Sequence, residues 1–112
     1  MTSHVTTHVL DAVRGAPAAG VRVTLARLEG EAAAPVAEAV TDDDGRTREL
    51  GPERLEPGTY RVTFATGEYF RARDVPTFYP RVNVDFLVEA GQGHYHVPCL
   101  LSPYAYSTYR GS

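Results

Sequence analysis

A period of two dominates this chain. Val21, Val23 and Leu25 fall on one side of an extended backbone, with Arg22, Thr24 and Ala26 on the other. Tyr60, Val62 and Phe64 alternate in the same way with Arg61, Thr63 and Ala65. A further run sets Val82, Val84, Phe86 and Val88 against Arg81, Asn83, Asp85 and Glu89, broken only by Leu87. Successive strand side chains point to opposite faces, so the pattern describes strands with one buried face. Turn residues separate the runs: Gly15-Ala16-Pro17 and Gly20 before Val21, Asp42-Asp43-Asp44-Gly45 after the third strand, Pro57-Gly58 before Tyr60. Glycine supplies positive φ there, and proline and aspartate pre-set turn geometry. Short, regularly spaced strands of this kind predict an all-β sandwich. One segment departs from the pattern: Gly67–Asp74 predicts about two turns of helix, stopped by Pro76. The alanine-rich stretch Ala32–Ala34 reads as a loop or a strand edge.

Composition narrows the function classes. With 112 residues, 43% of them hydrophobic, and eight prolines, the chain suits one loop-rich folded domain spanning 1–112. A formal charge of -3 argues against nucleic acid, which needs a clustered basic face. All eleven basic residues are arginine, for which codon bias is the simpler explanation. Cys99 stands alone, so no intrachain disulfide forms and a reducing compartment is permitted. Met1-Thr2-Ser3-His4 lacks the apolar run of a secretory leader, and no stretch approaches membrane-spanning length. The terminal Arg-Gly-Ser is not a peroxisomal address. The expected location is the cytoplasm. Edge strands need pairing or protection, so association is a natural outcome for such a sandwich.

The chemistry concentrates near both ends. The last residues, Tyr106-Ser107-Thr108-Tyr109-Arg110-Gly111-Ser112, carry aromatics, hydroxyls and a guanidinium. Termini are usually bland and frayed, so a tail this rich is expected to line something. In the first strand His4, Thr6 and His8 share one face, opposite Val5, Thr7 and Val9. In the late strand His94 and His96 project together, opposite Tyr95 and Val97. Imidazole titrates near neutrality and can exchange protons under cellular conditions. For any one of these histidines, a plain surface or hydrogen-bonded role is the commoner alternative. Spacing does not say whether the two faces meet. His94-x-His96 with His4 and His8 also admits a zinc or copper site. That reading is the weaker, because no cysteine or carboxylate stands at ligand spacing beside them. Arg46, after the Asp44-Gly45 turn, offers a rigid fork of donors for a planar anion. Ser112 brings a hydroxyl and a carboxylate that could orient a histidine or a water.

Four motifs in order then carry a resemblance. Thr7-His8-Val9-Leu10-Asp11, Asp44-Gly45-Arg46, His94-Tyr95-His96-Val97-Pro98 and the tail Tyr109-Arg110-Gly111-Ser112 resemble the 5-hydroxyisourate hydrolases. These are the transthyretin-like enzymes of urate degradation. The likeness spans essentially the whole chain, and the tail tetrapeptide separates the hydrolases from transthyretin proper. It implies a transthyretin-like sandwich of two four-stranded sheets with one short helix. It implies a homotetramer with sites at the dimer-dimer interface, acting on the small molecule 5-hydroxyisourate. It implies neither metal nor organic cofactor, and no nucleic-acid or membrane partner. Catalytic roles carry over onto His8, Arg46, His96 and Ser112, with Tyr109 joining them in substrate binding. Cys99 stands where the family usually has an aliphatic residue, and His4 and His94 receive no role. Two rival classes remain: a non-catalytic carrier on the same fold, and an immunoglobulin-like extracellular module. A polar site disfavours the first, and a single domain with a chemically loaded tail disfavours the second.

Overall fold

The computed structural model describes residues 3–112; Met1 and Thr2, part of the segment read above for a leader, lie outside them. Within that range the elements run β1 (Val5–Asp11), β2 (Ala16–Pro17), β3 (Arg22–Glu29), β4 (Ala32–Val40), β5 (Arg46–Thr47), β6 (Gly58–Phe64), α1 (Thr66–Arg71), β7 (Val82–Val88), β8 (Tyr95–Leu101) and β9 (Tyr106–Thr108). One sheet lines up as β2-β1-β8-β9, with the two-residue β5 also paired to β1. The other lines up as β4-β3-β6-β7. Two sheets and one short helix agree with the expected architecture.

The core lies between the sheets, on the faces the alternation marked. Val21, Val23, Leu25, Tyr60, Val62, Phe64, Val82 and Val88 are all at most 3% exposed. Val5, Val9, Tyr95, Val97, Cys99 and Leu101 meet them from the first sheet. Burying a large aliphatic or aromatic side chain stabilises by about 1.5–3 kcal/mol, so these two stripes hold the sheets together. Thr7 joins this face, fully buried, because its hydroxyl is satisfied by Thr47 Oγ1 at 2.6 Å.

One predicted detail resolves to its second alternative and one differs. The alanine-rich stretch opens β4, an edge strand nine residues long. Val36 is the extra residue of a bulge, since Leu25 faces Ala37 while Ala26 faces Pro35. An edge with a bulge is where a strand tolerates a proline lacking its N–H. The helix ends at Arg71, well before Pro76. Arg73 N donates to Phe70 O and Asp74 N to Arg71 O, so the chain tightens into turns. Asp74 then takes a φ of 57°, which no helix accommodates. The stop is therefore this left-handed turn, with Pro76 only restricting the residue after it.

The site depends on three pairings. β1 and β8 run parallel, with Thr6 beside His96. β1 and β5 run antiparallel, with His8 opposite Arg46. Gly111 forms a bridge to His96, its N–H donating to the His96 carbonyl at 2.9 Å.

Candidate active site

The turn before β5 puts Arg46 in place. Asp42 Oδ1 accepts from the N–H of Asp44 at 2.9 Å and of Arg46 at 3.0 Å, closing a tight loop. These main-chain donors, and then the Arg48 guanidinium, hold the Asp42 carboxyl below its usual range. Gly45 sits in this loop at φ 75°, and a Cβ there would collide with the Val9 carbonyl. The close approach allows Val9 N to donate to Gly45 O at 2.7 Å, which ties the loop to β1. Arg48 is neutralised by Asp42 at 2.6 Å. Among the described residues Arg46 has no such carboxylate partner.

The imidazoles come from β1 and the β8 region. His8 Nε2 lies 3.0 Å from the Asp44 carbonyl, which only accepts, so Nε2 carries the proton and donates. Neutral His8 therefore has its lone pair on Nδ1. Thr6 Oγ1 stands between two rings, 2.9 Å from His96 Nδ1 and 3.0 Å from His94 Nε2. Those two rings stack, with centroids 6.4 Å apart. The His96 pKa is lowered, first by burial and then by the charges of Arg46, His94 and His8, against an opposing hydrogen bond to the Thr6 main chain. The His8 pKa is lowered by burial and by Arg46, against the pull of Asp44 and Asp42. Both imidazoles thus favour the neutral, basic form more than free histidine does.

The tail docks along β8. Thr108 donates its hydroxyl proton to the Pro98 carbonyl at 2.8 Å, and the Arg110 guanidinium lies 4.6 Å from the Tyr95 ring centroid. A Cβ on Gly111 would come within 2.5 Å of His96 Cδ2, so only glycine packs there without pushing the ring. Ser112 then reaches a cavity of about 440 Å³ lined by Thr6, Thr7, Arg46, Thr47, Arg48, His94, His96 and Ser112. Of the residues anticipated from sequence, Arg46, His96 and Ser112 line this cavity, while His8 is not in its lining and is paired through the backbone opposite Arg46. Tyr109 does not: it lines an adjoining, more apolar cavity that shares His96 as a wall.

Sequence reasoning missed Thr6, Thr47 and Arg48. Thr6 was on the histidine face by period two, so its placement was readable although its role was not. His4 is 5% exposed, its Nδ1 accepting from Leu55 N at 2.8 Å, and it stacks edge-on against Tyr95. It serves the packing beneath the site. The four-histidine metal set is therefore not assembled, and among the described residues no three metal-binding side chains cluster.

The sequence pattern of the HIUase/Transthyretin family matches residues 5–111. The chain belongs to that family. It is 50% identical to the 5-hydroxyisourate hydrolase of Deinococcus radiodurans, over the full length of both chains, 100% of each. Its fold matches the structure of Klebsiella pneumoniae 5-hydroxyisourate hydrolase with a TM-score of 0.88 and 38% identity, covering 98% of this chain and 99% of that one. It also matches sea bream transthyretin in complex with thyroxine, with a TM-score of 0.91 and 31% identity, covering 96% and 94%. The fold alone thus serves both a hydrolase and a hormone-binding protein, and the site must decide.

Proposed function

We propose that this protein hydrolyses 5-hydroxyisourate to 2-oxo-4-hydroxy-4-carboxy-5-ureidoimidazoline, by water attack on a ring amide. The observation that carries the reading is the gathering of two imidazoles biased toward neutrality, His96 in the cavity wall and His8 paired opposite Arg46, around a guanidinium with no carboxylate partner among the described residues. Amide opening needs an activated water, a place for oxyanion charge and a proton for the departing nitrogen. A neutral imidazole takes the water proton, work worth typically about 10²–10⁴-fold. Arg46 holds the planar, ionisable ring and stabilises charge developing on its oxygen. Ser112 orients the water or an imidazole, and Tyr109 closes the neighbouring side. The chain's own side chains supply each of these roles without a cofactor.

The carrier reading is the alternative, given the sea bream relative on the same fold. A hormone channel favours an apolar lining, whereas this cavity is lined by arginine, histidine, threonine and serine. We read residues 1–112 as one domain acting in the cytoplasm; among the described residues no helix is long and apolar enough to cross a membrane. We also read the working assembly as a homotetramer with the site at the dimer-dimer interface. Supporting it, β7 and β9 are edge strands, and Leu87, Leu100 and Tyr106 stand exposed on and near them.

The test is consumption of freshly generated 5-hydroxyisourate, followed by absorbance and corrected for spontaneous decay. Acceleration by the protein is the expected result; decay at the spontaneous rate would remove the proposal. Light scattering checks the assembly separately, with four chain masses expected.

A further inference from the structure

The Thr6 hydroxyl sits in the cavity wall and serves two rings at once. It is buried, 7% exposed, on the cavity face of β1. A hydroxyl has one proton to give. It can donate to His96 Nδ1 or to His94 Nε2, and the ring that does not receive must itself donate. Whenever the hydroxyl proton goes to one of them, the protonation patterns of the two rings are therefore opposed. If Thr6 donates to His94, His96 keeps its proton on Nδ1 and presents a bare Nε2. If Thr6 donates to His96, that ring carries its proton on Nε2 and has no base to offer.

The surroundings choose between the two. The His96 ring is half-buried, and the Thr6 hydroxyl oxygen, 2.9 Å from Nδ1, is placed to receive that ring proton. His94 is solvent-exposed and finds water for its own Nδ1–H at no cost. The tail glycine packed on His96 keeps the ring from turning over. We infer that Thr6, with His94 behind it, is a positioning residue that locks His96 as the Nδ1–H tautomer, leaving Nε2 as the base. This deepens the proposed hydrolysis and rests on it. In the step itself, His96 Nε2 takes a proton from water as the oxygen bonds to the ring carbonyl carbon. It returns that proton to the ring nitrogen as the carbon–nitrogen bond breaks. The Nδ1 proton stays on the ring, donated to Thr6 throughout, so the enzyme is returned unchanged.

The test uses the full chain labelled with ¹⁵N-histidine, compared with Thr6→Val, Thr6→Ser and His94→Ala. Nitrogen shifts above pH 6.5 report the His96 tautomer whether or not the protein turns over. The wild type and Thr6→Ser should show His96 protonated on Nδ1. Thr6→Val and His94→Ala should move that proton to Nε2 and lower kcat by about 10–10²-fold, a fraction of a full acid–base contribution. Should Thr6→Val fold poorly, His94→Ala, altered at an exposed position, carries the same expectation. An unchanged tautomer in Thr6→Val or His94→Ala overturns the inference, as does a rate loss that Thr6→Ser fails to restore. A wild type that does not accelerate 5-hydroxyisourate decay would instead remove the hydrolase reading, and the shifts would still decide what Thr6 does to His96.

Discussion

The outward faces of the two sheets carry similar residues and do opposite things with them. On β4-β3-β6-β7 the central charges are paired: Arg22 bridges Glu38 and Glu68, and Arg61 grips Asp85 through Nε at 2.7 Å. Thr63 donates to Asn83 between them. These are exposed pairs in high dielectric, and such pairs contribute little to stability or to anything else. On the face of β5-β1-β8, Arg46 has no carboxylate partner among the described residues, and His8 and His96 are pushed toward neutrality in its company. Charge left uncompensated, beside groups kept uncharged, is arranged for a ligand. The comparison teaches that pairing, more than charge content, separates a solvated face from a working one.

Removing one group from each face breaks or sharpens the comparison. His96→Ala or His8→Ala should cost about 10²–10⁴-fold in kcat/KM for 5-hydroxyisourate, with the circular dichroism spectrum unchanged. Gly111→Ala should come next. Its methyl would displace the His96 ring, and a misplacement of that order costs about 10²-fold. Activity in Gly111→Ala equal to wild type would mean the tail does not set the ring.

The pH response is more modest. His8 and His96 have lowered pKa values in the folded protein, so the unfolded chain binds more protons as pH falls. Their contribution to stability is intact above the ordinary histidine value of about 6.5 and is lost as pH drops through the lowered folded values. Activity that needs the neutral rings should likewise persist below pH 6.5, and a rate profile centred at or above that value would contradict the burial argument. The smallest effects belong to the core. Cys99 is 1% exposed and burial pushes its thiol up to about 12, so it should resist alkylation until the protein unfolds. Cys99→Val should shift stability by less than about 1.5 kcal/mol and leave turnover alone.

How much of this was legible beforehand depended on range. Period two placed Thr6 with His8, set His94 with His96, and put Cys99 on the core side, because face assignment is a local property of a strand. It also warned of the Asp42–Gly45 turn. It could not bring Arg46 opposite His8, since β5 is two residues long and its register is held by Gly45 against Val9. Nor could it join β1 to β8, a parallel pairing between opposite ends of the chain. His4 shared a face with His8 yet lies buried, because Leu55 folds over the start of β1 and donates its N–H there. The motif resemblance supplied the long-range connections that alternation lacks. It also named Tyr109, whose side chain lines the adjoining cavity that shares His96 as a wall.

One pair of variants tests the central claim most directly: Arg46→Ala against Arg61→Ala, assayed side by side on fresh 5-hydroxyisourate. The account predicts that Arg46→Ala loses about 10²-fold or more of the acceleration, on the scale of one oxyanion-stabilising group. Arg61→Ala, which removes a guanidinium already matched to Asp85, should turn over at the wild-type rate. Equal rates in the two variants, or a larger loss in Arg61→Ala, would contradict it.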